Sequence, residues 1–215
     1  MTNNLHFILM ADIIGSRKTD QKKLIADFKE IVRQTNLNAG AGLLSPITIT
    51  LGDEFQGVVA SLAAALGIIL DLEESIIASG KDFKLRYILT EGEIDTPINP
   101  RIAYEMLGSG LTAAREGLAR LKKTKNRFHI ALQDPERGNA LDKAFVVLQR
   151  IIDGWKLKKD YYIVAKFLQH IDYKQVASEL KKERSLMWKR EKSLKIEEYF
   201  ALKEIIAYLG GKNDV

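Results

Sequence analysis

The strongest constraint on the fold is the order in which strand-like and helix-like hydrophobic patterns follow one another. Five segments have the continuous or alternating apolar pattern of strands, namely residues 5–13, 47–51, 55–60, 83–91 and 127–132. Three segments repeat their apolar residues at helical spacing, namely residues 20–37, 61–80 and 110–123. The order β-α-β-β-α-β, followed by one more α-β pair, predicts an α+β fold of the ferredoxin-like type with additions.

The rest of the chain has helical periodicity only. A break is predicted at "QDPERGN", residues 133–139, and an amphipathic bridging helix at residues 140–154. Further helices are predicted at residues 158–170, 173–180, 184–195 and 197–209. We therefore expect a ferredoxin-like domain over residues 1–137, a bridging segment over 138–157 and an all-α domain over 158–215.

The net charge of +5 lies in the last part of the chain. Residues 155–215 contain 14 Lys and Arg against 9 Asp and Glu, whereas residues 1–154 contain 19 of each. A neutral body with a basic C-terminal part predicts a polyanionic partner for that part. The chain has no cysteine, which excludes disulfides and thiolate metal sites. Its longest apolar stretch, Val58 to Leu70, is shorter than the ~20 residues that span a bilayer, so we expect a cytoplasmic protein without a membrane partner.

Three carboxylates lie at the ends of strands that we expect to be neighbours. Asp12 ends the first strand, and Asp53 and Glu54 lie in the hairpin turn of "LGDEFQGV". Gly-Asp is ordinary turn chemistry, and Asp12 could cap the loop that follows it. Alternatively, two carboxylates ~4 Å apart repel by about 4 kcal/mol at an effective dielectric constant near 20, and therefore need a counter-charge. Mg²⁺ or Mn²⁺ bound to these oxygens would bridge the phosphates of a nucleotide.

The segment after Asp12 leads into the start of a helix. Its residues Gly15, Ser16 and Arg17 precede the helix predicted from residue 20. Free backbone N–H groups at a helix N-terminus favour phosphate. We therefore predict that these three residues contact a nucleotide.

Four motifs resemble class III nucleotide cyclases, in the same order along residues 5–132. They are "MADIIGSRKT" (10–19), "LGDEFQGV" (51–58), "RYILTEGEI" (86–94) and "MLGSGLTAAREGL" (106–118). "GDEF" is also similar to the motif of diguanylate cyclases in the same superfamily, although the glycine that precedes it there is Leu51 here.

The resemblance implies a role for individual residues. Asp12 and Asp53 correspond to the metal ligands, and the carbonyl group of Ile13 to a third ligand. Glu54, next to Asp53, is a further candidate ligand. Arg115 corresponds to the arginine that contacts the triphosphate across a dimer interface. The resemblance therefore implies a cyclase-like site with Mg or Mn in a two-fold homodimer.

Two positions depart from the cyclase pattern. Leu111 stands where cyclases have an asparagine four residues before the arginine, and Ile49 stands at the position of the lysine that selects the base. A transition-state contact and a base-reading contact are both missing, so nucleotide binding without turnover is the favoured interpretation. Over its whole length the chain is similar to the SatD family, a bacterial group to which no activity is securely attached.

The segment "YKQVASELKKERSLMWKREKSLK", residues 173–195, resembles a helix-turn-helix. It contains eight basic and three acidic residues between Lys174 and Lys195. Lys181 and Lys182 depart from the usual turn, where glycine and an aliphatic residue are commonest. The predicted contacts to DNA are Arg184, Ser185, Lys189, Arg190 and Lys192. The alternative is a solvated, charged face of a small helical bundle.

Two functions follow from these patterns. The first is a regulatory protein in which a cyclase-like domain binds a nucleotide and a divalent metal and a helix-turn-helix binds DNA. The second is a metal-dependent nucleotidyl cyclase or a related phosphoryl-transfer enzyme. The first is favoured because the residues for binding are present and those for turnover are incomplete.

Overall fold

Five strands form one mixed sheet in the computed structural model, which describes residues 5–16 and 20–211. The strands are β1 (Leu5–Ile13), β2 (Leu43–Ile49), β3 (Glu54–Val59), β4 (Leu85–Glu93) and β5 (Phe128–Ala131). Their order is β2-β3-β1-β4-β5, with β1 antiparallel to both β3 and β4 and with β5 parallel to β4. The α+β class is confirmed, and the first four strands have the order that a ferredoxin-like βαββαβ unit requires.

Eight α-helices accompany the sheet over the described ranges. They are α1 (Gln21–Ala39), α2 (Leu62–Ala78), α3 (Ser109–Leu121), α4 (Pro135–Ile152), α5 (Tyr161–Gln169), α6 (Tyr173–Leu180), α7 (Arg184–Leu194) and α8 (Ile196–Leu209). Side chains of Asp20 and Ser61 accept hydrogen bonds from backbone N–H groups in the first turns of α1 and α2. These caps satisfy donors that a helix start leaves without partners.

The two faces of the sheet are covered differently. Helices α1, α2 and α4 pack on one face, where Phe28, Tyr87 and Phe145 are fully buried. The other face is covered by α3, whose Leu111 and other apolar residues pack on the strands. A Cβ atom on Gly110 would lie 2.6 Å from the Gly92 carbonyl carbon, so α3 touches the backbone of β4. The α3 face is where Asp12 lies.

The C-terminal helices share the core of the sheet. The hydrophobic cluster that contains Leu9 and Leu66 continues through Val164, Met187 and Ile206. The Tyr199 hydroxyl group donates to Glu74 of α2 at 2.7 Å, and the Trp155 indole donates to the Leu194 carbonyl at 2.8 Å. An all-α helix-turn-helix domain with its own core is therefore not confirmed, and the boundaries at residues 137 and 157 stay predictions.

Two element boundaries differ from the predicted ones by four residues or more. Strand β2 begins at Leu43 and ends at Ile49, so Thr50 and Leu51 belong to the turn. The predicted break at residues 133–139 is wrong, because α4 begins at Pro135. The Asp134 side chain accepts hydrogen bonds from the N–H groups of residues 136 and 137, and proline at the first helical position lacks the N–H that would be unsatisfied there. No helix in the described part of the chain is long and apolar enough to cross a membrane.

Candidate functional site

A row of charged side chains crosses the sheet on the α3 face. In the strand register, Asp12 of β1 lies opposite Glu54 of β3 on one side and opposite Arg86 of β4 on the other. Residues that lie opposite each other in adjacent strands point to the same face of a sheet. Lys122, the residue that caps the C-terminal end of α3, extends over this row. These four residues are called the charged cluster below.

Both carboxylates of the charged cluster are already bound by cations. The Arg86 Nη1 atom lies 3.1 Å from Asp12 Oδ1 and 3.0 Å from Oδ2. The Lys122 ammonium group lies 2.6 Å from Glu54 Oε1 and 3.4 Å from Asp12 Oδ2. Asp12 is 5% exposed, so its carboxylate depends on these cations rather than on water. The formal charges of the cluster, two negative and two positive, cancel.

The pKa values in the cluster reflect this burial. Burial raises the pKa of the Asp12 carboxyl group, and the charges of Arg86 and Lys122 oppose that shift. Burial by itself lowers the pKa of the Lys122 ammonium group, but the hydrogen bond to Glu54 and the charges of both carboxylates outweigh it, so that pKa is raised. Lys122 is therefore held in its charged form.

Asp53 has different surroundings from Asp12. Its Oδ2 atom accepts a hydrogen bond of 2.6 Å from the Ser16 hydroxyl group. Asp53 and Ser16 line a recess of about 270 Å³. Leu24 of α1 also lines this recess, and α1 packs on the face of the sheet opposite to α3. The turn itself is ordinary hairpin chemistry, with Gly52 at a φ of 81°. The structure thus brings Asp53 to Ser16 and brings Asp12 to Glu54.

The arrangement does not fit a resident divalent metal. Both Asp12 oxygens already accept from Arg86, and Oε1 of Glu54 accepts from Lys122. Over residues 5–16 and 20–211, no group of three or more His, Asp or Glu side chains could hold a metal ion. Among the described residues no metal site is assembled, and the metal-ligand roles of Asp12, Ile13, Asp53 and Glu54 stay predictions.

Of the predicted phosphate-contacting residues, the structure describes Gly15 and Ser16. Gly15 is exposed with a φ of 73°, and Ser16 is held by Asp53. Arg17 lies outside the described residues. The Asp20 carboxylate accepts hydrogen bonds from the first N–H groups of α1. These donors are therefore occupied, and a negative charge lies where a phosphate would bind.

A cleft of about 410 Å³ opens beside the charged cluster, between α3 and the β2–β3 hairpin. It is called the α3 cleft below. Its walls combine apolar, aromatic, amide and cationic side chains, namely Met10, Gln56, Tyr104, Arg115, Leu118 and Lys122. Arg115 is exposed, and among the described residues its guanidinium group has no ion-pair partner. Arg115 and Lys122 lie seven residues apart, which is two turns on one side of α3.

Hydrogen bonds hold the loop that contains Ala103 and Tyr104 at the edge of the α3 cleft. The Gln56 amide donates to the Ala103 carbonyl at 2.8 Å, and the Ala103 N–H group donates to the Thr48 hydroxyl at 2.9 Å. The Tyr104 hydroxyl group donates to the Thr50 carbonyl at 3.3 Å. The protein's own hydrogen bonds therefore fix this wall of the α3 cleft, which Tyr104 lines together with Arg115.

The predicted DNA-binding residues fall into two groups. Arg184, Ser185 and Lys189 are exposed on α7, and their side chains form no hydrogen bond or ion pair with the described residues. Arg190 instead forms an ion pair with the buried Asp160, and Lys192 pairs with Glu197. Helices α6 and α7 are joined by three residues, and Lys181 has a left-handed φ of 51° at the end of α6.

Sequence reasoning missed the two cations of the charged cluster. Arg86 interrupts the apolar pattern of β4 on the same face as Ile88, and that interruption is the signal that could have revealed it. Lys122 is one of several basic residues near the end of α3, and nothing in the pattern distinguishes it from Lys123.

The chain belongs to the SatD family, because the family model matches residues 6–209. No curated protein sequence matches it. Solved structures to which it is similar include adenylyl and guanylyl cyclases, as the four motifs led us to expect.

The structural similarity to those cyclases is distant. A bacterial light-regulated adenylyl cyclase is 14% identical, with a TM-score of 0.45 over 59% of this chain and 74% of that chain. The guanylate cyclase domain of RhGC from Catenaria anguillulae, solved with GTP, is 21% identical, with a TM-score of 0.42 over 59% and 78%. An adenylate/guanylate cyclase/hydrolase from Silicibacter pomeroyi is 20% identical, with a TM-score of 0.43 over 59% and 74%. Similarity at this level assigns no activity.

Proposed function

We propose that the α3 cleft binds a nucleotide and that Arg115 binds its phosphates. The observation that supports this proposal is Arg115 itself, a cation without an ion-pair partner in the described chain at the wall of a preformed cleft. Its guanidinium group offers a planar set of donors that matches phosphate oxygens. Because the charged cluster is neutral overall, Arg115 gives this side of the cleft its excess positive charge.

The rest of the cleft suits the remainder of a nucleotide. Its volume of about 410 Å³ lies within the range of small-molecule sites, which combine apolar walls with few polar groups. Met10, Leu118 and the ring of Tyr104 provide apolar surface against which a base can pack. The Arg115 position is also the one that the cyclase motif "LTAAREGL" indicates.

Binding without turnover is the form of the proposal that the residues favour. Leu111, at the position of the missing cyclase asparagine, is 7% exposed and packs between α3 and the sheet. An apolar side chain cannot stabilise charge that develops in a transition state. We therefore propose a nucleotide-sensing role, with metal-dependent phosphoryl transfer as the alternative.

Isothermal titration with ATP and with GTP tests the proposal. Arg115→Ala should weaken binding about ten- to a hundredfold, because a hydrogen bond to a charged group contributes about 1.5–3 kcal/mol. The matched control is Arg120→Ala, which removes an exposed arginine of the same helix that does not line the α3 cleft. Absence of binding to either nucleotide, or equal binding by both variants, would contradict the proposal. Chromatography after incubation with each nucleotide and Mn²⁺ tests the enzymatic alternative.

A second candidate function is DNA binding by α7. We infer it from the three exposed residues Arg184, Ser185 and Lys189, whose side chains have no partners within the described ranges, together with the three-residue connection to α6. Phosphate contacts of this kind give an affinity that falls steeply with salt.

An electrophoretic shift assay with genomic fragments tests the second candidate. Replacement of Arg184 and Lys189 by Ala should weaken binding and reduce its salt dependence. The control replaces the exposed Lys22 and Lys23 of α1, which removes the same charge elsewhere. The absence of a salt-sensitive shift, or an equal loss of DNA binding in both double variants, would contradict DNA binding by α7. The two-fold homodimer that pairs such helices stays a prediction, which light scattering after gel filtration checks.

A further inference from the structure

We propose that Lys122 is a built-in cation that takes the place of a divalent metal in the charged cluster, so that the α3 cleft binds nucleotide phosphates without a metal. The second half of this inference rests on the proposed function. The first half concerns the cluster alone, and it can be tested without a nucleotide.

The position of Lys122 is the one that a bridging cation needs. Asp12 and Glu54 lie directly opposite each other in the register of β1 and β3, and like charges in such a pair are destabilising. The Lys122 ammonium group contacts one oxygen of each carboxylate, at 3.4 and 2.6 Å. It therefore joins the two carboxylates as a metal ion bound between them would.

The charge of the cluster leaves no role for a further cation. Arg86 neutralises Asp12 from the β4 side, and Lys122 neutralises Glu54 from the α3 side. A divalent ion on the same oxygens would have to displace Lys122 or lie against its ammonium group. The side chains of Asp12 and Arg86 are only 7% and 12% exposed and that of Lys122 is 40% exposed, so water would screen that repulsion only in part.

The end of α3 positions Lys122 beside the two carboxylates. Lys122 follows the last residue of α3, and its N–H group donates to the carbonyls of Leu118 and Arg120. A cation at the C-terminal end of a helix is favoured by the helix dipole. Lys122 also lines the α3 cleft two helical turns after Arg115, about 10.5 Å along the helix axis at 1.5 Å per residue. The same ammonium group can therefore hold the carboxylates together and face a bound phosphate.

Titration with Mn²⁺ alone tests the role of Lys122. We expect Lys122→Ala to bind Mn²⁺ at least about tenfold more tightly than the wild-type protein, whose binding should be too weak to saturate, because the variant leaves two opposed carboxylates without their shared cation. Lys122→Arg keeps the cation and should behave as wild type. Lys123→Ala, which removes the exposed neighbouring lysine, is the matched control and should bind no Mn²⁺. If Lys122→Ala does not fold, as judged by circular dichroism, Lys122→Gln takes its place with a neutral side chain of similar length.

Two results of this titration would overturn the proposal. One is wild-type protein that binds Mn²⁺ as tightly as Lys122→Ala. The other is a folded neutral variant at position 122 that gains no affinity for Mn²⁺.

A nucleotide titration in EDTA, repeated with Mg²⁺, separates this inference from the proposed function. Equal binding in both conditions supports both. Binding that requires Mg²⁺ overturns the inference and leaves the proposed function standing. No binding in either condition overturns the proposed function, whereas the Mn²⁺ titration still decides the role of Lys122.

Discussion

Replacement of Arg127 by Met should remove much of the stability of the fold. The Arg127 side chain is 4% exposed and joins α2, β4 and the end of α4. Its Nε atom donates to the Leu85 carbonyl at 2.8 Å, its Nη1 atom contacts Asp153 at 2.9 Å, and its Nη2 atom contacts Glu73. The Tyr87 hydroxyl group donates to the same Glu73 oxygen at 2.8 Å.

The expected loss of stability comes from the Glu73 carboxylate, which stays buried without its ion-pair partner. Without Arg127, the Glu73 carboxylate stays buried with the Tyr87 hydroxyl group as its remaining hydrogen-bond donor, whereas Asp153 keeps Lys84 at 2.7 Å. Removal of one partner of a buried ion pair costs about 3–5 kcal/mol. The free energy of unfolding of a domain is about 5–15 kcal/mol, so the variant should be markedly less stable.

Urea unfolding followed by circular dichroism measures this loss. The double variant Arg127→Met with Glu73→Leu should be more stable than Arg127→Met, because it no longer buries an unpaired carboxylate. The gain is reduced by about 1–3 kcal/mol, because the buried Tyr87 hydroxyl group loses its acceptor. Lys84→Met, which removes a cation that is 41% exposed, is the control and should cost less than about 1 kcal/mol. A cost below about 1 kcal/mol for Arg127→Met, or a double variant as unstable as the sum of the single ones, would refute the reasoning.

Two further predictions concern the His129–Asp142 pair and the contact between α3 and β4. The hydrogen bond to Asp142 raises the pKa of His129 above 6.5, so NMR titration should show Asp142→Asn lowering that pKa. The pair's contribution to stability is present below pH 6.5, is lost as pH rises through the folded-state pKa, and stays below about 1 kcal/mol because His129 is partly exposed. Gly110→Ala should destabilise the protein by about 1–3 kcal/mol, since its Cβ atom would lie 2.6 Å from the Gly92 carbonyl carbon. Gly67→Ala, in open space within α2, should stabilise it by about 0.5–1 kcal/mol, and thermal unfolding that gave both changes the same sign would contradict this account.

The order of elements could be predicted because local periodicity determines it. The continuous apolar run of β1 and the helical spacing of Leu24, Phe28 and Ile31 in α1 each identify one element without knowledge of its neighbours. The start of α4 differs from the prediction because "QDPERGN" has the composition of a break, although an Asp before a Pro is also a helix start.

The candidate site could be predicted only in part, because its pairings join residues far apart in the sequence. The strand ends predict that Asp12 meets Asp53, whereas the structure places Glu54 opposite Asp12 and joins Asp53 to Ser16. The counter-ions lie 74 residues from Asp12 in the case of Arg86 and 68 residues from Glu54 in the case of Lys122. Strand register and the placement of α3 bring these charges together, and neither leaves a periodic signal in the sequence.

NMR spectra of the arginine side chains test the nucleotide site most directly. We predict that GTP or ATP, added in EDTA, shifts the Nε–Hε signal of Arg115, identified by its absence in Arg115→Ala, while the signal of Arg120 stays in place. Shifts that leave Arg115 unchanged, or that appear only after Mg²⁺ is added, would contradict a metal-free nucleotide site in the α3 cleft.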